Sequence, residues 1–170
     1  MIINFRIDYT TMRHEQIKRL VIFIFTCELV GILGSVFNTT AIAVWWYGAL
    51  SKPWFTPPGW VFGPVWAVLY VLMGVAAYLV WESKKEKKLM PFAKSAFCWQ
   101  LAFNLCWSIF FFGFRNLGQA LADIALLWVS LAITIGLFYR ISKKAAWLLV
   151  PYLIWVTIAL ALNFCLLKLN

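Results

Sequence analysis

Five apolar stretches, at roughly 20–44, 57–81, 92–113, 119–139 and 146–167, are the strongest constraint in this sequence. A hydrocarbon core of about 30 Å is crossed by about 20 helical residues, and each stretch has that length. Inside lipid no water can satisfy backbone N–H and C=O groups, so a spanning segment must be a helix or part of a closed barrel. These stretches are continuously apolar and lack the alternation of barrel strands. The expected class is therefore an all-α membrane protein, a five-transmembrane-helix bundle. Residues 1–19 form an N-terminal tail, 20–170 a single transmembrane domain, and 45–59 a long loop after the first span. Only 12% of the chain is charged, about half the share found in soluble domains, which fits no soluble class.

The formal net charge of +9 does not point to nucleic acid, because the basic residues lie between the apolar stretches and not on one folded face. Arg6, Arg13, Lys18, Arg19, Lys84, Lys85, Lys87, Lys88, Lys94, Arg140, Lys143 and Lys144 fall on one side of the expected bundle. Lys52, Arg115 and Lys168 fall on the other. The positive-inside rule then puts the N-terminus in the cytoplasm and the C-terminus and the 45–59 loop outside. A signal peptide cleaved after Ala41-Ile42-Ala43 is the rival reading of the first stretch; its length and Glu28 argue against it.

Cys27, Cys98, Cys106 and Cys165 all sit inside apolar stretches without a C-x-x-C pair, and read as packing residues. The single histidine, His14, lies in the tail. That leaves the spans without the makings of a Ser-His-Asp or Cys-His site, a zinc site or a His-ligated haem. No phosphate-binding glycine loop is present. Neither a metal nor a resident cofactor is expected.

Polar side chains are costly in lipid and should face the bundle interior. Gln100, Asn104, Trp107, Ser108 and Phe111 recur every three or four residues and form one stripe. Gln119, Asp123, Ser130 and Thr134 form another, Tyr152, Trp155, Ala159 and Asn163 a third, and Trp66, Tyr70, Met73 and Ala77 a fourth. Asp123, Asn163 and Gln119 read best as contacts between helices, as do Gly31 and Ser35 in the first span. Glu28 is either a buried partner for a polar group or a residue beside a wet cavity.

Tryptophans Trp45, Trp46, Trp54, Trp60, Trp81 and Trp147 fall near span ends, where an interfacial aromatic belt explains them as well as function does. Trp66, Trp107 and Trp155 lie deeper, where an indole offers a π face and an N–H to a planar ligand. With Asn104 and Ala159 they would line an apolar pocket carrying a few polar anchors. Pro57 and Pro58 suit the first turn of the second span, with Thr56 as cap. Pro64 and Pro151 lie further in and are expected to widen the space beside Trp66 and Trp155.

Several motifs in order then resemble one family. They are Trp46-Tyr47, Leu50, Lys52-Pro53-Trp54 and Pro57-Pro58, followed by Phe62 to Trp66 and Leu69 to Trp81. Gln100 to Gly113, Ala120 to Asp123, Leu148 to Trp155 and Leu162-Asn163 come after them. The chain resembles the translocator protein or tryptophan-rich sensory protein family (TspO/MBR, peripheral-type benzodiazepine receptors). That resemblance implies a five-helix bundle, often a homodimer, with a ligand pocket under the loop after the first helix. It implies ligands such as porphyrins, haem and isoquinoline or benzodiazepine compounds. It also implies, as alternatives to a receptor, light- and oxygen-dependent porphyrin breakdown or transport of porphyrin and lipid-like molecules. Trp66 and Trp155 match pocket tryptophans that bond a ligand carbonyl, and are the redox candidates if porphyrin is degraded. Trp54, Tyr70, Asn104, Trp107, Phe111 and Ala159 complete the expected ligand contacts, with Lys52 to Gly59 as the lid. Phe164 stands where the animal sterol pattern needs Tyr, so sterol binding is not expected. The short C-terminal tail and loop charges favour a bacterial plasma membrane.

Overall fold

The computed structural model describes residues 9–37, 45, 46 and 48–170. Arg6, Tyr47 and the Ala41-Ile42-Ala43 segment lie outside the described residues. Five helices are long and apolar enough to cross a membrane: α1 (Tyr9–Val36), α2 (Gly59–Trp81), α3 (Met90–Ser108), α4 (Leu117–Ile141) and α5 (Lys143–Leu169). There is no strand among the described residues. The chain is an integral membrane protein.

The helix ends follow local chemistry. α1 begins at Tyr9, well inside the stretch expected as a tail. The polar residues there remain compatible with helix, and Glu15 pairs with Lys18 one turn on at 2.8 Å. α2 starts only at Gly59, with Pro57 and Pro58 ahead of it. Thr56 does not cap it; its hydroxyl donates to the Pro53 carbonyl at 2.7 Å, closing a turn inside the loop. α4 begins at a true cap, where Asn116 Oδ1 accepts from the Gln119 amide at 3.0 Å. Ser142 alone joins α4 to α5, its hydroxyl accepting from the Ala145 amide. Pro64 and Pro151 stay inside their helices with exposed side chains facing away from the bundle interior.

Neighbouring helices run in the cyclic order α1, α2, α5, α4, α3 and back to α1. Their outer faces carry Phe25, Phe92, Leu126, Ile133 and Ile154, all exposed as a lipid-facing surface requires. Small residues set the tightest crossing. A Cβ at Gly74 of α2 would lie 2.5 Å from the Ile24 Cα of α1, and one at Gly31 of α1 would collide with the Tyr70 ring. Without a hydrophobic drive inside lipid, such close backbone approach is what holds helices together. At one end Arg19 pairs with Glu82 at 3.2 Å, and the Lys94 ammonium stands 5.1 Å from the Trp81 ring centre.

Gly74→Ala should therefore cost about 1–3 kcal/mol, because a backbone atom and not a flexible side chain must move. Gly136→Ala meets open space and should be neutral or slightly stabilising. Thermal unfolding in detergent checks both, and equal midpoints for the two variants would refute the crossing.

Candidate ligand-binding cavity

Between α1, α2, α3 and α5 lies a cavity of about 430 Å³, within the range of about 300–1,000 Å³ usual for small-molecule sites. It runs along α2 from Gly59 to Tyr70, about 16 Å at 1.5 Å per residue. Ile32, Ser35, Gly63 and Ala67 line it and are also exposed, so it reaches the outer surface between α1 and α2.

Its floor is a polar bridge. The Tyr70 hydroxyl of α2 donates to Asn104 Oδ1 of α3, and Asn104 Nδ2 donates to the Tyr152 hydroxyl of α5 at 2.8 Å. A second bridge flanks the cavity, where Trp107 Nε1 donates to Asn163 Oδ1 at 3.1 Å and Asn163 Nδ2 donates to the Leu117 carbonyl at 2.9 Å. Asn163 thus joins α3, α4 and α5, the interhelical role its spacing suggested. In this low-dielectric setting an unpaired amide would be expensive, so the bridges fix the helices in register.

Aromatic rings build the walls. Trp107 stacks on Phe111 with ring centres 4.9 Å apart, and Trp66 stacks on Tyr70 at 5.6 Å. Trp46 packs edge-on against Phe62 at 5.8 Å and against Phe111 at 6.0 Å. Phe111, on the same face as Asn104 and Trp107, lies within a π-helical turn, Ile109–Gly113, in which the Phe114 amide bonds the Ile109 carbonyl at 2.8 Å. Such wide turns recur at functional sites.

The expected site residues separate into two groups. Trp66, Tyr70, Asn104, Trp107, Phe111 and Ala159 line the cavity together. Trp54 does not: it is 95% exposed on the loop, because Leu50 and Phe55 supply that segment's inward contacts. Trp155 is one layer back, edge-on to Phe62 at 5.7 Å. Its Nε1 is buried and has no acceptor among the described residues. Ser35 lines the cavity instead of a helix contact, its hydroxyl donating to the Ile32 carbonyl. Gln119 is exposed, not interior, since the buried face in the first turn of α4 falls on Ala120. Sequence reasoning missed Trp46, assigned to the belt yet only 6% exposed. No local signal in the sequence marked it; in the structure the Lys52 ammonium stands 5.4 Å from the Trp46 ring centre.

The 45–59 loop is tied down by Asn170. Its side-chain amide accepts from the Ser51 amide at 2.9 Å and donates to the Ser51 carbonyl at 3.1 Å.

Asn104→Leu strands two buried hydroxyls and should cost about 2 kcal/mol or more, against about 0.5–1 kcal/mol for Tyr70→Phe. Denaturant unfolding of both variants measures this; equal costs would show that Asn104 bridges nothing. Asn170→Ala should speed hydrogen exchange at the Ser51 amide by about fivefold, and an unchanged rate would mean the loop is held elsewhere.

Comparison with known proteins is consistent with this geometry. Residues 23–169 match the TspO/MBR family. The chain is 43% identical to the tryptophan-rich protein TspO of Chlorobaculum tepidum over 157 residues, covering 92% of this chain and 99% of that one. It is 43% identical to the human translocator protein over 123 residues, covering 71% and 72%. With the tryptophan-rich sensory protein of Cereibacter sphaeroides it shares 41% over 125 residues, covering 74% and 77%. The chain belongs to the TspO/MBR family.

Proposed function

We propose that this protein is a membrane receptor that binds a planar tetrapyrrole, porphyrin or haem-like, in the cavity beneath the 45–59 loop. The observation that carries the reading is the wall itself, with Trp46, Trp66 and Trp107 around one apolar space. Three indoles give large rigid faces for stacking at little cost in side-chain freedom. No wall residue is a histidine, so binding rests on stacking and shape and not on axial iron ligation. The surface opening between α1 and α2 suits a hydrophobic molecule arriving from the bilayer. Trp155 adds a donor in reserve: if Phe62 turns, its indole N–H faces the ligand and can bond a carbonyl.

Titrating protoporphyrin IX in darkness against tryptophan fluorescence tests this. Trp46→Ala and Trp66→Ala should each weaken binding about tenfold through lost stacking. Trp54→Ala should leave it unchanged. Uniform affinity across all three variants would sink the pocket. Repeating the titration under illumination separates binding from breakdown, which would appear as loss of the Soret band with a defined product that Trp66→Ala no longer forms.

A further inference from the structure

Glu28 has no role in anything described so far. It lies on α1 with Gly31, Ile32 and Ser35, three and four residues apart, so the four share the helix face that borders the cavity. Gly31 is pressed against the Tyr70 ring, which puts Glu28 one turn away at the floor. It is the only carboxylic acid among the lining residues. Most of the other polar groups there are engaged: Tyr70 with Asn104, Asn104 with Tyr152, Trp107 with Asn163, and Ser35 with its own helix. The Glu28 carboxyl has no hydrogen-bond or ion-pair partner among the described residues, the salt bridges being Glu15 with Lys18 and Glu82 with Arg19.

A carboxyl group at the depth of a membrane span is costly when unpaired, and such residues in membrane proteins mark ligand or ion sites. Whether ionised or protonated, a carboxyl keeps oxygen lone pairs free to accept a hydrogen bond. The Glu28 carboxyl therefore has acceptor capacity that no described residue fills, and a ligand can bring the donor.

We infer that Glu28 is the acceptor for an N–H group of the ligand, and that it selects tetrapyrroles retaining their inner N–H groups over metallated ones. The inference rests on the tetrapyrrole reading above. The two inner N–H groups of a free-base macrocycle lie in the ring plane while it is flat, and tilt out toward an acceptor on its face when the ring saddles. A square-planar metal ion replaces both protons and leaves the ring periphery unchanged. No proton transfer is required.

The experiment compares protoporphyrin IX with its palladium(II) complex, which has no N–H and no demand for an axial ligand. Both are titrated against the full chain in detergent or nanodiscs. Wild type should prefer the free base about tenfold, the worth of a hydrogen bond to a carboxylate. Glu28→Met, which removes the acceptor while keeping length and apolar bulk, should abolish that preference by weakening free-base binding alone. Palladium-complex affinity should not change, which also shows that the variant is folded. Glu28→Gln keeps an acceptor oxygen and should retain part of the preference. Equal wild-type affinity for the two ligands would overturn the inference while leaving the tetrapyrrole reading intact. An equal loss for both ligands in Glu28→Met would overturn it too, by assigning Glu28 to structure. If neither ligand binds wild type, the tetrapyrrole reading falls and this inference falls with it.

Discussion

The hydrogen bonds from Tyr70 through Asn104 to Tyr152 are the constraint on which the rest of the bundle depends. Each group belongs to a different helix, and none has water as an alternative partner at that depth. The bridge ties α2, α3 and α5 together at one level. Asn163 ties α3, α4 and α5 at another. Apolar contact cannot do this work in lipid, because lipid tails are as apolar as leucine. Polar bridges and the glycine crossings of α1 on α2 are what distinguish this arrangement from other packings of the same five helices.

The cavity follows from the same constraint. Below the Tyr70–Asn104–Tyr152 level the core is filled by Met73, Ala76, Ala77, Val80 and Leu149, all fully buried. Above it indoles and phenyl rings line an open space, with Phe111 carried on the π-helical turn that follows α3. The loop then closes over this end through Leu50 and Phe55, held by Asn170. One end is thus a solid core, and the other a lined chamber.

Much of this was legible in the sequence where helical periodicity operates. Asn104, Trp107 and Phe111 share a face whatever their neighbours are, and the expense of polar groups in lipid says that face points inward. Periodicity failed at the ends of elements. Trp46 and Trp54 are both loop tryptophans near a span end, and no local signal separates the one buried against Phe62 and Phe111 from the one left 95% exposed. Trp155 was placed on the right helix and face, but its distance from the cavity depends on Phe62 of another helix. Thr56 looked like a cap because a helix was expected to start at Pro57; the turn it makes with Pro53 delays α2 to Gly59.

The sequence by itself determined that the chain is a membrane bundle of five helices, since the length of the apolar stretches and the need to satisfy backbone groups in lipid admit little else. It also determined most of the inward residues of α2, α3 and α5, and through ordered motifs it pointed to the family. Only the tertiary structure decided which inward residues border open space and which are packed solid. It brought Trp46 into the wall, moved Trp54 out, set Trp155 behind Phe62, and turned Glu28 toward the cavity floor. Those outcomes depend on the relative placement of α1, α2, α3 and α5, which is fixed by contacts between residues far apart in the chain and leaves no periodic trace within any one of them.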